Sequence, residues 1–148
     1  MKGEGTIDLH TTRERAFKML LDPNVLKECM IGCKRFEKVE EGIYKANISL
    51  GFLPVKGDYD ITIKLTDLKE PEQYKMKMSG KGGPGEIKML NHIYLDEKGN
   101  TTVLSYTYEA EIHGKVTKAG KPVLKKVAGF IVKDFFKRFE KEIKRSKV

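Results

Sequence analysis

Apolar side chains recur at every second position through the middle of the chain, and at every third or fourth position near its C-terminus. The alternation is clearest over 57–68. Tyr59, Ile61, Ile63 and Leu65 share one side there; Asp58, Asp60, Thr62 and Lys64 share the other. Successive side chains of a strand point to opposite faces, so this pattern predicts a strand with one dry and one wet face. The same reasoning predicts strands at 3–9, at 35–39, and at 43–50 with Tyr44, Ala46, Ile48 and Leu50 aligned. It continues with Tyr74, Met76 and Met78 facing in, and with Ile87, Met89, Asn91, Ile93 and Leu95. The last strand carries Thr102, Leu104, Tyr106, Tyr108, Ala110 and Ile112 on one face. Glu97-Lys98-Gly99-Asn100 reads as a hairpin turn. Gly80 to Gly85 reads as a glycine-rich connection, and Gly51-Phe52-Leu53-Pro54 as a turn exposing two apolar residues.

Helical spacing begins where alternation stops. Thr11 or Thr12 can cap a short helix that turns Phe17, Leu20 and Leu21 inward, and Asp22-Pro23-Asn24 breaks it. Pro23 suits the first turn of a second short helix through Val25, Leu26 and Cys29, which Gly32 ends. Over 122–145, Val123, Leu124, Val127, Ile131, Phe135 and Phe139 form one apolar side. That helix would run about 36 Å. Gly120 and Pro122 disfavour a helix interior and leave its onset open. Two short helices between the first two strands, a meander, then one long helix is an α+β order. The expected architecture is a single domain over 1–148. A curved antiparallel sheet of six to seven strands lays its dry face on the long C-terminal helix.

Charge sharpens this picture. Residues 115–148 hold twelve Lys or Arg against Asp134, Glu140 and Glu142, whereas 1–114 hold 17 basic and 18 acidic residues. The net charge of +8 therefore sits in the C-terminal segment. Lys115, Lys118, Lys126, Lys133, Lys137 and Lys144 fall on one azimuth of a continuous helix. They form either a solvated face or a surface for an anionic membrane, with Phe52 and Leu53 dipping into lipid beside it. No aromatic platform interleaves with the lysines, which argues against nucleic acid. No run of about 18 apolar residues exists to span a membrane, and the N-terminus shows no signal-peptide core. Cytoplasmic location is the default expectation, with a peripheral place at the inner membrane face allowed.

The candidate chemistry is sparse. Cys29 and Cys33 lack the further ligands a zinc site needs, and read as packed thiols or a redox pair. His10, His92 and His113 are scattered, so no catalytic residue, metal site or cofactor is expected. Glycines at 80–85 lead into a strand, not the helix that phosphate binding requires. Met76, Met78 and Met89 either line a cavity or pack an ordinary core. Tyr59, Tyr74, Tyr106 and Tyr108 point inward, and each hydroxyl needs a partner. Asn91 is an amide among apolar neighbours; it either orients a ligand or bonds to backbone. Asp134 lies beside the apolar side of the last helix with Arg138 four residues on, as a flank ion pair or a polar gate.

The order of elements resembles the helix-grip fold of the SRPBCC superfamily, which includes START and birch-pollen-allergen-like proteins. Within it the chain resembles the CoxG family of carbon monoxide dehydrogenase. The motifs that carry the likeness are Asp22-Pro23, Cys29-Met30-Ile31-Gly32-Cys33 and Gly51-Phe52-Leu53-Pro54-Val55-Lys56-Gly57. Pro71-Glu72-Gln73-Tyr74 with Gly80, Gly82 and Gly85, Gly114-Lys115 to Gly120, and Phe135-Phe136 complete them. Ile31 replaces the family's proline, and Phe52-Leu53 enlarge one loop. Some members extend past the last helix into an apolar anchor; with Val148 last, no such tail is expected here.

The resemblance implies a cavity between sheet and helix for an apolar or amphipathic small molecule. Its expected lining is Tyr59, Ile61, Tyr74, Met76, Met78, Met89, Asn91, Tyr106, Tyr108, Val127, Ile131 and Phe135. It also implies a non-enzymatic accessory role beside molybdenum-containing CO-dehydrogenase-like oxidoreductases, in recruitment to a membrane or in handling a lipophilic carrier. The expected partners are that small molecule, the oxidoreductase subunits and an anionic membrane surface. The docking alternative uses Phe52, Leu53, Lys118, Lys126, Lys133 and Lys137. A cyclase or hydrolase of the same fold is the remaining alternative.

Overall fold

Seven strands pair in one antiparallel sheet in the order β1-β7-β6-β5-β4-β3-β2. The computed structural model describes residues 1–146. Strand bounds are β1 Lys2–Leu9, β2 Cys33–Glu40, β3 Ile43–Leu50, β4 Gly57–Lys69, β5 Gln73–Gly82, β6 Gly85–Lys98 and β7 Thr101–His113. From β2 to β7 each strand pairs with its sequence neighbour, as short turns permit. β1 closes the far edge on β7. Helices α1 (Arg13–Leu21) and α2 (Pro23–Cys29) carry the chain from one edge to the other. Thr12 caps α1 by accepting from the Arg15 amide, and Asp22 caps α2 by accepting from the Asn24 amide.

A 3₁₀ turn, Lys115–Ala119, precedes the long helix α3, Lys121–Arg145. Gly120 adopts φ +91°, outside the range of an ordinary helical residue, and Pro122 occupies the first turn. The continuous basic stripe expected over 115–144 is therefore broken. Lys115 and Lys118 belong to the 3₁₀ turn, while Lys126, Lys133, Lys137 and Lys144 stay on α3. Lys147 lies outside the described residues.

The solid part of the core lies where α3 meets α2 and β1, its closest backbone neighbours along with the 3₁₀ turn. Leu124, Ala128, Val132, Phe136, Phe139 and Ile143 are the buried residues of α3. This face is rotated from the apolar side read off the sequence. Val123 is exposed, and Val127, Ile131 and Phe135 are only half-buried. Periodicity marks the whole apolar arc, whereas burial centres on one side of it. Phe139 is fully buried, and so are Phe17 and Leu104. At the end of the sheet near α1, the Thr102 hydroxyl donates to the Thr11 carbonyl at 2.8 Å, and the Tyr44 hydroxyl donates to the Leu21 carbonyl at 2.8 Å.

Candidate functional site

Between the sheet and α3 lies a cavity of about 190 Å³. Its floor is the dry face of the central strands. β4 supplies Tyr59, Ile61, Ile63 and Leu65; β5 supplies Tyr74, Met76 and Met78; β6 supplies Ile87, Met89, Asn91 and Ile93. Leu124, Ala128, Val132 and Phe136 of α3 form the roof together with the half-buried Val127, Ile131 and Phe135. Their partial exposure is thus exposure toward a void as well as toward water.

Beside the hollow, α3 packs on β7 through aromatic rings. Tyr106 of β7 stacks on Phe136 with ring centroids 4.7 Å apart, and Tyr108 lies parallel to Tyr106 at 6.5 Å. These rings lie over glycines of β1. A Cβ on Gly3 would fall 2.2 Å from Tyr108, and one on Gly5 would fall 2.4 Å from the Tyr106 hydroxyl oxygen. The aromatic stack fills the space between α3 and β7. On the β4–β5 side, Tyr59, Tyr74 and the Ile, Leu and Met side chains of those strands border the void instead. The expected placement of Tyr106 and Tyr108 in the lining is corrected accordingly. Alternation puts them on the right face, but they occupy the solid wall beside the cavity.

The other ten expected lining residues do border the cavity. Several others were missed. Leu20 and Leu26 come from the short helices, Ile31 from the loop after α2, and Phe36, Ile112 and Val116 from the rims. Leu20, Leu26 and Ile112 had a signal in their apolar spacing, and Ile31 had one as an apolar residue next to a chain-reversing glycine. Gly32 has φ +67° and a Cβ there would meet the Ser49 carbonyl oxygen at 2.0 Å, so the loop is pinned with Ile31 turned inward.

Few polar groups reach the lining. The Tyr59 hydroxyl donates to the Val55 carbonyl. Tyr74 packs edge-on against Phe17 at 5.5 Å, and burial drives its phenol pKa well above the ordinary value. Among the described residues, Glu86 is the only charged one in the lining; it is exposed and sits 3.8 Å from Lys81. Asn91 is buried, and its Nδ2 has no hydrogen-bond partner among the described residues. Asp134 is not part of the lining; Arg138 Nε donates to its Oδ2 at 2.8 Å. Cys29 is a buried free thiol, pushed up to about 12 mainly by desolvation, with the Glu142 carboxylate adding to it. Among the described residues no three His, Cys, Asp or Glu side chains gather for a metal.

Outside the cavity, the β3–β4 loop and α3 share an apolar patch. Phe52 packs edge-on against Phe130 at 5.9 Å, so it is half-buried, not free as its turn position suggested. Leu53 is 81% exposed and Phe130 51% exposed. No helix among the described residues is long and apolar enough to cross a membrane.

A curved antiparallel sheet closing on a long C-terminal helix, with two short helices after the first strand, is the helix-grip architecture of START-like proteins. The chain belongs to the CoxG family of carbon monoxide dehydrogenase, whose model matches residues 5–144. A conserved protein from Geobacillus kaustophilus is similar at 41% identity, with 99% of this chain and 97% of that one covered and a TM-score of 0.94. A START superfamily protein from Mycobacterium smegmatis shares the fold at 12% identity, 97% coverage of both chains and a TM-score of 0.76. A Thermus thermophilus protein shares it at 12% identity, full coverage of both chains and a TM-score of 0.75. No curated protein matches the chain.

Proposed function

We propose that this protein is a non-enzymatic accessory protein that carries an apolar or amphipathic small molecule in the cavity between sheet and α3. The observation that carries this reading is the cavity of about 190 Å³ with an almost wholly apolar lining. Affinity would come from apolar surface removed from water, at about 25 cal/mol per Å². Catalysis has little to work with. The buried tyrosines of the lining have raised pKa values, so they remain protonated at neutral pH and cannot act as bases there. Family membership supports a role beside a CO-dehydrogenase-like molybdenum oxidoreductase. Native mass spectrometry of the purified protein should find a neutral lipophile that dissociates on organic extraction. A mass equal to that of the bare chain in every preparation, with no uptake of added lipophiles, would overturn the carrier role.

The exposed Leu53 and Phe130 favour a second, compatible reading in which the β3–β4 loop and α3 dock on an anionic membrane. Lys126, Lys133 and Lys137 of α3 supply the charge, at about 1 kcal/mol for each lysine near the surface. Binding to vesicles with anionic lipid, lost in Leu53→Asp/Phe130→Asp, is the expected result. Equal binding of the double variant would remove this surface from consideration.

A further inference from the structure

We infer that the outer face of the sheet, the side away from α3, carries a second site, for a soluble oxyanion of the phosphate or diphosphate class. Lys64, Lys77 and Lys88 hold the anion over the hydroxyls of Thr62 and Ser79. The site is separate from the cavity and stands whether or not the carrier reading holds. A groove of about 610 Å³ runs there, bordered by all five residues. Strand register brings them together. Thr62 of β4 is directly opposite Ser79 of β5, and Ser79 is directly opposite Lys88 of β6. Lys64 and Lys77 are directly opposite each other, one step further along the same face. Opposed residues have Cβ atoms about 5 Å apart, and successive residues on one face lie about 7 Å apart. Three long ammonium chains therefore surround two short hydroxyl side chains on adjacent strands. Lys45 of β3, directly opposite Thr62, adds a fourth cation at the rim.

Pairing sets these lysines apart. Lys2 meets Glu109, Lys75 meets Asp67 and Lys81 meets Glu86 on the same face. Among the described residues no carboxylate lies within 4.0 Å of Lys45, Lys64, Lys77 or Lys88. Like charges directly opposite destabilise a sheet, so the Lys64–Lys77 pair costs the free protein stability that an anion between them restores. Glu109 and Glu111 stand on the β7 wall of the groove. Glu109 is engaged by Lys2 at 3.4 Å and Glu111 lies 4.0 Å from His113, so the anion seats toward β4 and β5. A phosphate group brings up to two charges and three strong acceptor oxygens, enough to meet lysines and hydroxyls together. A carboxylate brings one charge and two oxygens. α3 covers the opposite face of the sheet, so a membrane reached through Leu53 and Phe130 leaves this groove in water. That geometry favours a soluble anion over a lipid headgroup.

Isothermal titration calorimetry with sodium diphosphate and with sodium acetate, at constant ionic strength, tests the site. The expected result is saturable one-to-one binding of diphosphate and no detectable binding of acetate. Lys64→Gln/Lys77→Gln should weaken diphosphate binding about tenfold. Lys125→Gln/Lys141→Gln removes the same charge from exposed positions on α3 and should leave the affinity within about twofold. Lys88→Gln alone should weaken it about threefold, which keeps the test open if the first double variant fails to fold. Equal loss in the two double variants would overturn the site, because net charge would then account for the binding. No saturable binding by the wild type would overturn it outright. Acetate binding as tightly as diphosphate would overturn the phosphate class. Vesicles holding phosphatidic acid present the same chemistry on a lipid. Binding to them that depends on Lys64 and Lys77, without any response to free diphosphate, would overturn the soluble ligand.

Discussion

Replacing Val127 with Phe separates a hollow molecule from a solid one by the sign of its effect. Val127 lies on the cavity side of α3 and is half-buried. The substitution adds four carbons. At about 0.8 kcal/mol for each buried CH₂, filling the void would gain at most about 3 kcal/mol. Fixing the larger side chain costs roughly 0.5–1 kcal/mol, and imperfect fit takes a similar share. A net gain of about 1 kcal/mol remains, or a rise in Tm of about 3 °C at this chain length. Were the region already packed, the same change would overfill it and cost about 1–3 kcal/mol. Urea unfolding by circular dichroism resolves a difference of that size. The cavity account expects a higher midpoint with an unchanged slope, together with weaker uptake of added lipophiles. A lower midpoint would refute the reasoning.

Other outcomes follow from the same geometry. Phe139→Ala, in the fully buried and solid part of α3, should cost about 3–5 kcal/mol, far more than a truncation facing the void. Thr102→Val removes the donor to the Thr11 carbonyl and should cost about 1–3 kcal/mol, seen as a lower urea midpoint. Gly32→Ala should destabilise measurably, since the Cβ meets a backbone carbonyl at a positive φ. Cys29 titrates at about 12 when folded, against about 8.5 to 9 when unfolded. Below about pH 7.5 it is a thiol in both states and adds no pH dependence. Above that, only the unfolded chain releases the proton, so stability should fall with rising pH across the window up to about 12. Cys29→Ala should flatten that fall, and a slope unchanged by the substitution would contradict the assignment.

Much of the fold is written in period-two alternation, because a strand with one wet face must alternate. Tyr59 to Leu65 is legible for that reason, and the observed burial follows it residue by residue. The site was legible only in part. Alternation tells which face Tyr106 and Tyr108 occupy, but not whether a ring faces a void or a stacked neighbour. That is decided by Phe136, far along the chain on α3, and by Gly3 and Gly5 on a strand from the other end of the chain. The α3 arc shows the same limit. Its apolar residues are plain in the sequence, yet that sequence does not tell that Phe139 packs solidly while Leu124, Val127 and Ile131 border the void. Lys115 and Lys118 looked continuous with the helix because charge spacing carries no record of the break that Gly120 makes.

Pressurising crystals with xenon addresses the hollow itself. Apolar cavities of this size stay dry and take up xenon. The account predicts ordered xenon between Met76, Ile131 and the Asn91 side chain, with the surrounding residues unmoved. Side chains meeting across that gap with no xenon between them would contradict it.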